Sequence, residues 1–75
     1  MDFKEACAET VREARGKGQI AYLYKSSGKF PWGISLNYWN DWLFKAYPGG
    51  RKVLSAKGTK LMRELESTIN IREEK

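Results

Sequence analysis

Between residues 30 and 36 the chain alternates: Phe30, Trp32, Ile34 and Leu36 are large and apolar, and Pro31, Gly33 and Ser35 separate them. Successive side chains of an extended strand point to opposite faces, so this run sets four large residues on one face of a strand. In a chain of only 75 residues, that face must be covered by most of what remains. The preceding run, Ile20-Ala21-Tyr22-Leu23-Tyr24, is short and rich in β-formers, and Ser26-Ser27-Gly28 supplies a turn. The two runs predict a β-hairpin over about 19–36. Pro31 has no amide to donate, which makes the second strand an edge strand or a bulged one.

Helical periodicity flanks the hairpin. Over 2–15, Phe3, Cys7, Val11 and Ala14 form one apolar stripe widened by Ala6, with Asp2 and Glu5 spaced as a capping box and Gly16 and Gly18 as the stop. Over 37–47, Trp39, Leu43, Ala46 and Tyr47 share a helical face, Asn37 is a cap, and Asn37, Asp41 and Lys45 form a polar stripe. A helix so apolar around its circumference belongs at the centre of a domain. Pro48-Gly49-Gly50 ends it, residues 51–54 make a short third strand, and Ser55 caps a last helix over about 55–68 with Leu61, Met62, Leu65 and Ile69 inward. Gly58 weakens the first turn of that helix by about 1 kcal/mol relative to alanine, which shifts its expected start toward Thr59.

The expected fold is therefore a small single α+β domain over 1–75 in the order α-β-β-α-β-α, with the hairpin and third strand packed against the helices and fraying at Met1 and over 70–75. Val11, Leu23 or Tyr22, Ile34, Leu36, Trp39, Leu43, Leu61 and Leu65 are the expected core.

Histidine is absent and there is one cysteine, Cys7, on an apolar stripe. That removes the commonest general base near neutral pH, any intramolecular disulfide, and the usual structural zinc sets. No phosphate loop, dinucleotide fingerprint or nucleophile elbow occurs. The expectation is a protein with no catalytic residues, no metal and no cofactor. Asp41 reads as an ion-pair partner of Lys45 at i+4. No apolar run approaches the roughly 20 residues of a membrane helix, and the acidic start Met1-Asp2-Phe3-Lys4-Glu5 is unlike a signal peptide, so a soluble, cytoplasmic protein with no membrane partner is expected.

Charge placement points to function. The net charge is +5, but residues 15–60 alone hold nine bases and one acid, a local +8, while both ends are slightly acidic. Such asymmetry suits a polyanion, either nucleic acid (DNA or RNA) or an acidic protein surface. Lys25 and Lys29 flank the hairpin turn, and Arg51, Lys52, Lys57 and Lys60 follow Gly49-Gly50. These six are the candidate nucleic-acid-binding residues, making phosphate-backbone contacts with weak sequence specificity.

The segment Arg51-Lys52-Val53-Leu54-Ser55-Ala56-Lys57-Gly58-Thr59-Lys60-Leu61-Met62-Arg63-Glu64-Leu65 resembles the closing part of winged-helix DNA-binding domains. There a wing strand ends in Leu-Ser or Leu-Thr, followed by Lys-Gly and a helix with spaced leucines. The matching positions are Leu54, Ser55, Lys57, Gly58, Leu61 and Leu65, and the resemblance is confined to residues 51–65. It implies that Arg51 and Lys52 lie in a wing near DNA phosphates.

Aromatic residues make up 13% of the chain, more large rings than a thin core needs. Exposed Trp and Tyr dominate protein interfaces, which gives the alternative function: a regulatory or inhibitory protein, of the kind phages encode, docking on a larger protein. Tyr22, Tyr24, Trp32 and Trp42 are the candidate partner-binding aromatics.

Overall fold

The computed structural model describes residues 2–29 and 31–73, with side chains through Glu66. It is an α+β domain in which a helix α1 (Phe3–Lys17) precedes four strands, β1 (Ala21–Lys25), β2 (Trp32–Ser35), β3 (Phe44–Ala46) and β4 (Lys52–Leu54), and a helix α2 (Ala56–Glu73) closes the chain. The strands form one antiparallel sheet in the order β2-β1-β3-β4. Met1, Phe30, Glu74, Lys75 and the side chain of Ile69, on which the sequence places expectations, lie outside the described residues.

α1 follows its local sequence. The Asp2 carboxylate accepts from the Glu5 amide at 2.9 Å and the Glu5 carboxylate accepts from the Asp2 amide at 3.3 Å, the reciprocal capping box. At the other end Gly18 takes φ 65° and donates its amide to the Ala14 carbonyl, a left-handed cap that only glycine adopts without strain. The inner face of α1, Phe3, Ala6, Cys7, Thr10 and Ala14, is buried. Thr10 satisfies its buried hydroxyl by donating to the Ala6 carbonyl at 2.8 Å.

The hairpin expected over 19–36 is present. Tyr22 pairs with Ser35, Leu23 with Ile34, Tyr24 with Gly33 and Lys25 with Trp32. The Ser26 amide closes it on the Pro31 carbonyl at 2.8 Å. β2 is an edge strand, as a preceding proline requires.

Residues 37–47 depart from the helix expected there. Ser35 and Asn37 form a side-chain turn, the Trp42 amide donates to the Trp39 carbonyl at 3.3 Å, and residues 44–46 are β3. β3 pairs with β1 through Ala21–Ala46, Tyr22–Lys45 and Leu23–Phe44. Trp39, Leu43 and Tyr47 do recur at helical spacing, but the free edge of β1 offers ladder bonds to a segment rich in aromatics, which favour strands. The centrality read from its apolar character holds: β3 is an interior strand, and Leu43, Phe44 and Ala46 are buried.

Residues directly opposite in a ladder share a face. One face therefore carries Ala21, Leu23, Phe44, Ala46, Ile34, Trp32 and Leu54, and both helices pack on it. Ala21, Leu23 and Ala46 are fully buried beneath α1, with Val11, Trp32, Leu36, Leu54, Leu61 and Met62 around them. Three expected core residues, Ile34, Trp39 and Leu65, are not in it. Ile34 is 37% exposed because it lies on the edge strand, and Trp39 is 40% exposed because it lies on the opposite face. Leu65 is half-buried.

α2 begins at Ala56, before the start suggested by Gly58. Ser55 is its cap: its hydroxyl accepts from the Gly58 amide at 3.0 Å and donates to the Leu43 carbonyl at 3.2 Å. Gly58 is buried because that carbonyl sits against it, and a β-carbon at this position would lie 1.9 Å from the Leu43 oxygen. The helix runs to Glu73, beyond the expected 68.

Candidate nucleic-acid interface

The second face of the sheet, on which neither helix packs, is lined with rings and cations. Alternation along β1 sends Tyr22 and Tyr24 there, and the ladder sets Gly33 beside Tyr24 and Lys45 beside Tyr22. Gly33 is the foundation of this surface. The hydroxyl end of the Tyr24 ring lies over it, so that an added β-carbon would be 2.3 Å from the ring. Trp39, delivered by the 37–43 loop, stacks on Tyr24 with centroids 4.0 Å apart and planes at 13°. Beside this stack, Tyr22 meets Tyr38 edge-on at 5.6 Å and Trp42 at 6.4 Å. The Lys45 ammonium stands 4.9 Å from the Trp42 ring centre and 5.6 Å from that of Tyr47, and the Arg51 guanidinium lies 5.3 Å from Tyr47. Tyr38 is 67% exposed. The face thus presents accessible π-surfaces next to fixed positive charge, attracted to the rings by their quadrupoles.

The six basic residues read from the sequence do not form one surface. Lys25, at the end of β1, lies on the helix-covered side with Lys57 and Lys60 from α2. Together with Asp41, Glu64, Leu43 and Leu61 they line an open cleft of about 410 Å³. Lys29 is exposed in the hairpin loop. Arg51 and Lys52, adjacent in sequence, are divided by strand parity. Arg51 covers Tyr47 on the ring-lined face, whereas Lys52 is opposite Ala46, on the helix side and at the other end of the sheet from Lys25. Of the four aromatics, Tyr22, Tyr24 and Trp42 are on the ring-lined face, and Trp32 is on the helix side, 5.4 Å from Phe3.

Tyr38, Trp39, Lys45 and Tyr47 complete the surface and were not among the sequence candidates. For Lys45 and Tyr47 the available signal was the alternation Phe44-Lys45-Ala46-Tyr47, which places the second and fourth residues on one side of a strand. Tyr38 and Trp39 sit in a loop and carry no periodic signal.

Cys7 has its thiol pushed up to about 11, first by burial and second by the charge of Asp2, so it stays protonated near neutrality and is a poor nucleophile. Among the described residues no group of three or more Cys, Asp or Glu side chains is arranged to hold a metal, and no helix is long and apolar enough to cross a membrane. Comparison with protein-family models, with curated proteins and with solved structures gives no match.

Proposed function

We propose that this chain is a nucleic-acid-binding module whose contact surface is the helix-free face of its sheet. The observation that carries this reading is the placement of Lys45 and Arg51 over Trp42 and Tyr47 on a flat face of a protein with net charge +5. Cations that are already oriented can meet phosphates, and neighbouring rings can meet sugars or bases. With Lys45 and Arg51 on phosphates and the rings on sugars or bases, the contacts carry little sequence information, so sequence specificity is weak. Lys25, Lys57 and Lys60 lie on the other side and add to the positive field without belonging to this contact.

Fluorescence anisotropy with labelled oligonucleotides over a salt series tests the proposal. Two phosphate contacts give a log–log salt slope of about −1.4 for a single strand and about −1.8 for a duplex. Replacing Lys45 and Arg51 together with alanine removes most of that slope, and Lys57→Gln with Lys60→Gln has the smaller effect. Absence of binding to every oligonucleotide at low salt refutes the proposal. In that case the same rings are better explained by docking on a protein, an interaction that survives moderate salt.

A further inference from the structure

We infer that the nucleic acid this face takes is single-stranded, held by stacking of an unpaired base on Trp39. The inference rests on the reading above and narrows it to one substrate class. One side of the Trp39 indole is occupied by Tyr24 at 4.0 Å, and 40% of the residue is exposed; the base is placed on the side of the indole away from Tyr24. Gly33, Tyr24 and Trp39 form successive layers, so that indole side is raised above the sheet by two rings and supported from beneath. A base laid on it extends an existing stack. Tyr38, braced edge-on by Tyr22 and mostly exposed, offers a second ring alongside.

A duplex cannot use this surface well. Its bases cover one another's π-faces, and taking one out carries the energetic cost of unstacking and unpairing. The ring-lined face also carries no helix to enter a major groove. A single strand has neither obstacle, and base stacking is tolerant of sequence because every base has a π-face. The path from Trp39 to Arg51 crosses the sheet from β2 to β4. Three interstrand spacings of about 4.8 Å across and about four residues of about 3.3 Å along the strands make a diagonal of roughly 20 Å, room for about five or six stacked nucleotides at about 3.4 Å each. Lys45 lies between the two ends, next to Tyr22 in the ladder, where it can meet a phosphate of the same strand.

The test uses the full chain with a fluorescein-labelled oligothymidine of about 12 nucleotides, a length within the range of single-strand sites, and the same strand annealed to oligoadenine. The single strand binds at least about fivefold more tightly than the duplex, as one or more stacked bases require. Trp39→Ala weakens single-strand binding by about 5- to 150-fold, the range for losing one stacked base, Trp39→Phe restores part of it, and Tyr38→Ala weakens it independently. Circular dichroism verifies that each variant is folded. If the duplex binds as well as the single strand, or if folded Trp39→Ala and Tyr38→Ala bind the single strand like the parent, the stacking inference is overturned while the nucleic-acid reading stands. If neither form binds at low salt, both fall.

Discussion

Replacing Gly58 with alanine separates what the sequence alone suggests from what the structure dictates. An alanine inside a helix is favoured over glycine by about 1 kcal/mol, so by propensity the substitution stabilises α2. In the folded protein the new β-carbon would lie 1.9 Å from the Leu43 oxygen, 2.9 Å from the Leu43 carbonyl carbon and 3.2 Å from a Leu54 methyl. Ordinary contact requires a retreat of more than 1 Å by about any measure of van der Waals distance. Leu43 has little freedom to give way. It is buried, its amide donates to the Leu23 carbonyl at 2.7 Å, and its own carbonyl accepts from the Ser55 amide at 3.0 Å and from the Ser55 hydroxyl at 3.2 Å. Moving α2 instead breaks both bonds to that carbonyl, at about 1 kcal/mol each. Forcing extra volume into a packed site costs about 1–3 kcal/mol. Less the propensity gain of about 1 kcal/mol, the net loss is roughly 2–4 kcal/mol, a large part of the stability of a domain this small. At about 4–8 °C per kcal/mol the melting temperature falls by roughly 10–30 °C. Urea unfolding followed by tryptophan fluorescence measures the change. Gly16→Ala is the internal control. Gly16 lies in α1 with nothing within 4 Å of an added β-carbon, so it gains up to about 1 kcal/mol. The reasoning is refuted if Gly58→Ala matches or exceeds the parent in stability.

At Gly33 the obstruction is the tip of a side chain. An alanine there meets the Tyr24 ring at 2.3 Å, and the phenol can swing away. Gly33→Ala therefore changes stability by less than about 1 kcal/mol, the strand gain from losing a glycine offsetting the lost ring stack. The near-ultraviolet dichroism of the Tyr24–Trp39 pair disappears, and single-strand affinity drops with it; retention of both signals contradicts the layered arrangement. For Cys7 the folded-state pKa of about 11 lies above the unfolded value, so the thiol contributes stability below about pH 9 that is lost as pH rises toward 11. The urea midpoint of the parent falls further between pH 8 and pH 10 than that of Cys7→Ala, and native protein at pH 8 resists alkylation until it unfolds. Equal pH dependence in the two proteins excludes this linkage.

Much of the architecture was legible because its signals are local. The box of Asp2 and Glu5, the stop at Gly18 and the alternation of 20–24 and 30–36 each concern neighbours within a few positions. The failure at 37–47 came from a decision made elsewhere in the chain. Spacing of four residues among Trp39, Leu43 and Tyr47 fits a helix, and only the unpaired edge of β1 selects a strand. Propensity alone marks Gly58 as a weakness of α2, because the carbonyl that demands it comes from Leu43, fifteen positions earlier. The ring-lined face is half legible in the sequence. The enrichment of exposed rings at interfaces points to its Tyr22, Tyr24 and Trp42, but the linear density of positive charge does not say which side of a sheet each base occupies, and parity separates Arg51 from its neighbour Lys52.

The strand order has a consequence for how the chain assembles. β1 with β2 and β3 with β4 are each joined through a short loop, and hairpins of this kind form in about 1–10 μs. The inner seam between β1 and β3 joins the two ribbons, pairing Leu23 with Phe44 across the hairpin and the 37–43 loop. Closing that seam is the step with the largest loss of chain entropy, since the long connection must be ordered before its contacts reward it. The same closure brings Tyr22 beside Lys45, so the Tyr24–Trp39 stack and the cluster of Lys45, Trp42, Tyr47 and Arg51 become one continuous face only when the two halves meet. Molecules arrested as separate ribbons would keep most of their backbone pairing but would hold the stack and the cations apart.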